Sequence, residues 1–216
     1  MSELKGLIVD WGGVLTSDLS HSMAAWADAE DVEIDQFAAV MREWLGPSVE
    51  ETSLVNPVHA LERGEIEVPD FEVHLAQRLT SRLGRSIEPG GLLGRLFENF
   101  THAHDMSALV RRARVGGIRT ALLSNSWGNT YPDELFDGMF DAVVISGDVG
   151  MRKPEERIYR HTIDLIGLLP EECVFVDDLQ HNVIAAVEIG MVGVRHVDYA
   201  RTAGELDVLF GQVLSR

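Results

Sequence analysis

Six polar positions have the types that phosphoryl transfer needs: Asp10, Ser124 with Asn125, Lys153, and the adjacent acids Asp177 and Asp178. A carboxylate can attack phosphorus in line and form an acyl phosphate, which splits one hard displacement into two easier ones. Further carboxylates, with a backbone carbonyl and water, suit the oxygen-rich octahedron that Mg²⁺ demands, whereas no His/Cys cluster offers a zinc cage. Lys153 and the Ser124 hydroxyl would donate to the equatorial oxygens, where charge resides in the transition state. Neighbouring acids repel one another without a cation, so Asp177-Asp178 after an apolar run points to a metal more strongly than an isolated acid would. Each residue also has a plainer use: Asp10 as a strand-end cap, Ser124 and Asn125 as turn formers, Lys153 as a solvated lysine beside a helix start, and Asp177 and Asp178 as caps of the helix that follows.

These residues need elements that end where they stand. Residues 4–10 read as a buried strand closing on an acid and breaking at Gly12-Gly13. The same grammar recurs at 118–123, 141–145, 173–176 and 192–197, with helical stretches near 106–115, 154–166, 179–189 and 203–214. Alternating strands and helices imply an α/β fold, a Rossmann-like parallel sheet with helices on both faces. Ligands gather at the carboxyl ends of such strands, where the polar clusters fall. From 16 to 100 the alternation stops and only helical patterns remain. There Phe71, Leu75, Leu79 and Leu83 mark one buried helical face, with Asp70 after Pro69 as its expected start. The expected organisation is a core of residues 1–15 and 101–216 with an all-helical insertion at 16–100.

At 216 residues the chain suits one core with a sizeable insertion, and its 45% hydrophobic and 25% charged residues are those of a globular protein. Eighteen Lys plus Arg against thirty-five Asp plus Glu leave a net charge of -17, which argues against nucleic acid or an anionic membrane as partner. An anionic substrate would need a local cation or a nest of backbone amides to overcome that field. No apolar run approaches the ~20 residues of a membrane span, and the N-terminus lacks the basic-then-apolar order of a secretory signal, so a cytoplasmic location is expected. The single cysteine, Cys173, lies in an apolar run and is expected to be a buried, inert thiol.

Four segments, taken in order, resemble the motifs of the haloacid dehalogenase superfamily: Asp10-Trp11-Gly12-Gly13-Val14-Leu15, Leu123-Ser124-Asn125-Ser126, Gly150-Met151-Arg152-Lys153-Pro154 and Val176-Asp177-Asp178. Agreement of four motifs in order and spacing is far more specific than any one. The insertion falls where this superfamily carries a helical cap. The stretch 150–159 and Trp127 are most similar to the branch of sugar-phosphate phosphatases and of the phosphatase domains of soluble epoxide hydrolases. The resemblance implies a Mg²⁺-dependent phosphatase acting on a small phosphorylated metabolite. In it Asp10 is nucleophile and first metal ligand, and the Gly12 carbonyl is the second. Ser124 and the Asn125 amide hold the phosphoryl group, and Lys153 neutralises nucleophile and phosphate. Asp178 binds metal directly, and Asp177 through water.

Gly12 departs from the family pattern, since most phosphatases of the family carry there a second Asp that protonates the leaving oxygen and then activates water. Glycine keeps the carbonyl and loses the proton shuttle, typically worth ~10²- to 10⁴-fold in rate. The implied substrates are phosphates with good leaving groups, such as anomeric sugar phosphates or acyl phosphates. Alternatively another group replaces the acid, with Thr16, Asp18 and His21 nearest in sequence. Two competing readings are a metal-independent haloacid dehalogenase and a degenerate domain that binds phosphate or a protein without turnover. Trp26, Trp44 and Met41 are assigned to helical core rather than to a pocket, and His102 and His104 to the surface rather than to a metal. Asn99-Phe100-Thr101 forms a sequon without a signal to make it usable, and Gly90-Gly91 lacks the preceding strand of a dinucleotide fingerprint.

Overall fold

The computed structural model describes residues 3–16, 19–45, 56–98, 100–128, 131 and 133–216, with the side chains of 19–21 excepted. In chain order the elements are β1 (Gly6–Val9), α1 (Leu19–Ala29), α2 (Ile34–Leu45), α3 (Pro57–Glu62), α4 (Val68–Leu83), α5 (Leu92–Phe97), α6 (His104–Val115) and β2 (Arg119–Ser124). There follow α7 (Asp133–Phe136), β3 (Ala142–Ile145), α8 (Ser146–Val149), α9 (Glu156–Ile166), a 3₁₀ turn at Pro170–Glu172, β4 (Cys173–Asp177), α10 (Gln180–Glu188), β5 (Val192–Arg195) and α11 (Tyr199–Phe210).

Among the described residues the strands form one five-stranded, fully parallel sheet in the order β3-β2-β1-β4-β5. A central parallel strand is covered on both faces and so reads as a continuous apolar run. Every residue of β1 and β4 is buried. The two-residue side-chain period splits these strands between two cores. Leu7, Val9, Leu122, Val174 and Val176 pack with Leu109 and Val110 of α6 and Leu206 of α11. Ile8, Ala121, Leu123, Cys173 and Phe175 pack on the other face with Tyr159 and Ile163 of α9 and Ala186 of α10. Cys173 is buried as expected, and burial pushes its thiol pKa up to about 12.

Helices α1 to α5 all lie between β1 and β2 and build a third apolar cluster, in which Trp26, Phe37, Val40, Trp44, Phe71, Leu75 and Leu79 are buried. Trp26 and Trp44 thus belong to helical core, and Met41 packs against it. The chain leaves for these helices and returns from them at one place. Thr16 pairs with His102 in an isolated antiparallel bridge, and Ala103 N donates to Leu15 O at 2.8 Å.

Two helices differ from the sequence reading for identifiable reasons. Helix α4 begins at Val68 rather than Asp70, because Pro near the first helical position has the right φ and lacks only an amide that would have no partner there. Helix α11 covers Tyr199–Phe210 rather than 203–214. Asp198 caps its start by accepting from Arg201 N at 2.9 Å, and Gly211 ends it with φ 61, a left-handed conformation suited to glycine.

Candidate active site

β1 lies between β2 and β4, and the connections run to opposite sides of it, which makes its carboxyl end the switch point of the sheet. The registers Val9↔Leu122 and Val9↔Val176 bring Asp10, Ser124 and Asp177 to one edge. Carboxylate oxygens of Asp10, Asp177 and Asp178 lie within 4.8 Å of one another. Into this cluster comes Lys153, from the loop between α8 and α9, with only 1% of its side chain exposed. Its ammonium is 2.7 Å from Asp10 Oδ1 and 2.7 Å from Asp177 Oδ2. Burial alone would push the lysine pKa down, but the two carboxylates outweigh it and hold the ammonium above its usual range.

The two bridged acids have different surroundings. Asp177 is fully buried and saturated: Leu179 N donates to Oδ1 at 2.8 Å, Lys153 to Oδ2, and Asn182 Nδ2 to both oxygens at 3.1 Å. The Leu179 amide, the lysine and the Asn182 side chain therefore take up both oxygens, and the expected capping role is not realised, because α10 starts at Gln180 behind Leu179 and has no side-chain cap. Asp10 accepts from Trp11 N at 2.7 Å and from Lys153 through Oδ1 alone, so its second oxygen has no protein donor among the described residues. Burial, opposed by Lys153 and reinforced by Asp177 and Asp178, raises the Asp10 pKa well above the usual carboxylate range. Asp178 is pushed up to about 6, by burial first and then by Asp177. Three acids share one lysine, and the surplus of negative charge is what a divalent cation would relieve.

Local backbone makes room for this arrangement. Gly13 has φ +70, and a Cβ there would meet Asp178 Oδ2 at 2.7 Å, so glycine is needed both for the turn and for the close approach of the acid. Ser124 Oγ is 2.9 Å from the Tyr131 hydroxyl. The Asn125 side chain clamps the lysine loop, with Nδ2 donating to Lys153 O at 3.1 Å and Oδ1 accepting from Lys153 N at 2.8 Å. Asp10, Gly12, Ser124, Asn125, Lys153 and Asp178 line one cavity of about 440 Å³, while the buried Asp177 stands behind it.

Of the groups considered for replacing an acid at position 12, Thr16 accepts from Gly13 N at 3.0 Å through Oγ1, which makes it part of the turn. Asp18 and the His21 side chain lie outside the described residues. His102, expected at the surface, is instead half-buried, because its ring packs beside Trp11 and pairs with Ser107 Oγ at 2.8 Å. Sequence reasoning missed Asn182, which orders Asp177, and Tyr131. It also missed a buried pair between Glu62 of α3 and Arg152, to which the Trp127 indole adds a hydrogen bond at 3.0 Å. The spacing of Asn182 five residues after Asp177, at one turn of the following helix, was the available signal for the first.

Comparison with known proteins agrees with this geometry. The family model described as haloacid dehalogenase-like hydrolase matches residues 4–190. Sesquiterpene phosphatase astK of Aspergillus oryzae is 33% identical over 162 residues, which cover 69% of this chain and 77% of that protein. Bifunctional epoxide hydrolase 2 of Rattus norvegicus is 34% identical over 103 residues, which are 44% of this chain but only 19% of that longer protein. A haloacid dehalogenase family enzyme of Bacteroides thetaiotaomicron, solved with magnesium and inorganic phosphate, shares the fold. Its TM-score is 0.65 at 19% identity, covering 92% of this chain and 98% of the other.

Proposed function

This chain belongs to the haloacid dehalogenase-like hydrolase family, and from that premise we propose that it is a Mg²⁺-dependent phosphatase of small phosphorylated metabolites that works through an aspartyl-phosphate at Asp10. The observation that carries the reading is the bridged pair Asp10–Lys153–Asp177, in which one oxygen of Asp10 is held and the other is left without a protein donor. Phosphatase relatives such as the sesquiterpene phosphatase support the same chemistry.

The donor set fits the metal, because Asp10 and Asp178 offer hard carboxylate oxygens, Gly12 offers a carbonyl beside them, and the acids outnumber the nearby cation. Asp177, already saturated, would reach the metal only through water and otherwise anchors Lys153. When bound, Mg²⁺ supplies positive charge that offsets the repulsion between the carboxylates and the phosphate. Asp10 attacks phosphorus in line as the bond from phosphorus to the leaving oxygen breaks, and water afterwards cleaves the acyl phosphate to release phosphate and restore the carboxylate. Lys153 and the Ser124 hydroxyl donate to the equatorial oxygens, and the Asn125 clamp keeps the lysine from swinging away. Helices α1 to α5 cover the site as a cap and limit access of water. With Gly12 in place of an acid, the reaction favours leaving groups that need little protonation, such as anomeric sugar phosphates or acyl phosphates.

The test is phosphate release from a panel of phosphorylated metabolites, with Mg²⁺ and with chelator, using Asp10→Asn as control. We expect release that requires the metal and falls by more than about 10³-fold in Asp10→Asn. Turnover of halogenated acids that persists in chelator would instead identify a dehalogenase, and no release from any compound would point to a binding domain. Gly12→Asp sharpens the mechanism. A gain of about 10²-fold or more on poor leaving groups is expected, while an unchanged rate would mean that another group already moves the proton.

A further inference from the structure

The cavity that holds the acids has a second half with different chemistry, supplied by the inserted helices, the segment that returns from them and the loop after β2. Away from Asp10 its wall is made by Met23 of α1, Leu45 of α2, Leu96 and Phe97 of α5, Phe100 and Trp127. Phe97 and Phe100 form an edge-on pair with centroids 5.1 Å apart, and Trp127 rests on the buried Phe71 of α4 at 6.0 Å. The polar groups on this side are few, and the charged ones are already matched to each other. Glu62 accepts from the Trp127 indole through one oxygen and from Arg152 through the other. With its N–H satisfied there, the tryptophan has only ring surface left to offer a ligand. His59, which also lines the cavity, lies in the field of the same Glu62 and Arg152.

We infer that the organic half of the substrate is apolar, an acyl or aryl group seated against Met23, Leu45, Leu96, Phe97, Phe100 and Trp127, with the phosphate at Asp10. The inference rests on the phosphatase reading for the phosphate end and narrows it, since among substrates with good leaving groups it selects acyl and aryl phosphates over sugar phosphates. A sugar would bring several hydroxyls to a wall made mostly of apolar side chains, and each hydroxyl buried without a partner is penalised. An apolar group loses nothing there and gains by leaving water. A cavity of about 440 Å³ is within the range of sites that enclose small organic ligands.

The experiment uses phenyl phosphate and its 4-ethyl, 4-butyl and 4-hexyl derivatives, whose leaving groups are nearly equal, assayed with Mg²⁺ beside acetyl phosphate. The corresponding phosphonates, which cannot be hydrolysed, are titrated calorimetrically. Expected are a kcat/KM and an affinity that rise about threefold per methylene through at least the butyl member, and a heat capacity of binding that grows more negative along the series. Phe97→Ser should weaken binding of the hexyl phosphonate about 10-fold. A response flat to within twofold along both series overturns the inference, and hydrolysis of acetyl phosphate in that same experiment leaves the phosphatase reading standing. Graded phosphonate binding without hydrolysis of any compound supports the apolar seat and sinks the phosphatase.

Discussion

The edge of the sheet and the inserted helices hold their functional side chains by different means. At the sheet edge the polar atoms fix one another: Asp177 takes donors from Leu179, Lys153 and Asn182, and Asn125 locks the lysine loop from both sides. In the insertion, apolar packing around Phe71, Trp44 and Leu75 does the holding, and among the described residues polar contact with the core includes the pairs Glu62–Arg152 and Arg63–Glu155. The first arrangement tolerates almost no change of residue type, because its geometry is set by directional bonds. The second tolerates many, because any set of apolar side chains of the right volume can fill it.

The largest expected effect comes from breaking the directional half. Lys153→Met keeps an unbranched side chain one atom shorter and leaves Asp10 and Asp177 facing each other without the lysine's charge. We expect kcat to fall on the order of 10²- to 10³-fold and stability by about 3–5 kcal/mol, measured by phosphate release and by denaturant unfolding. A variant as stable as the parent would show that the lysine is not the bond between those acids.

Breaking the apolar half should cost similar stability with a different signature. Phe71 is fully buried against Trp44 and Trp127. Phe71→Ala is expected to cost about 3–5 kcal/mol, with loss of tryptophan fluorescence change preceding loss of the sheet in thermal unfolding followed by circular dichroism. Coincident transitions would show that insertion and core unfold as one unit. The smallest effect is expected at the seam between them. Glu62→Gln leaves Arg152 without a charge partner, for about 1–3 kcal/mol, and should raise KM more than it lowers kcat. A change confined to kcat would place this pair in the chemistry instead.

This contrast also explains how much could be read from the sequence. The strands of the sheet were legible because buried parallel strands are short apolar runs that stop at polar clusters, as at Val9-Asp10 and Val176-Asp177. The approach of Asp10, Asp177 and Asp178 followed from strand ends sharing an edge. The saturation of Asp177 did not, because it depends on Asn182 rotating towards it from the next helix. The helical character of 16–100 was visible in its periodicity, and α4 began only two residues away from its expected start. Which of its side chains would line the cavity was invisible. Met23, Leu45 and Phe97 lie on three different helices, and no local pattern distinguishes a residue facing a cavity from one facing a neighbour. Nor did charge counting reveal Glu62–Arg152, a pair 90 positions apart in the chain.

The bridge between Thr16 and His102 sets the two ends of the long excursion side by side. An excursion that departs and re-enters through neighbouring residues is a plug-in part, because its replacement by another segment with the same end-to-end gap would leave the strands and their acids where they are. Grafting a foreign helical segment between these two points should therefore retarget the protein to new molecules while its hydrolytic engine runs on untouched.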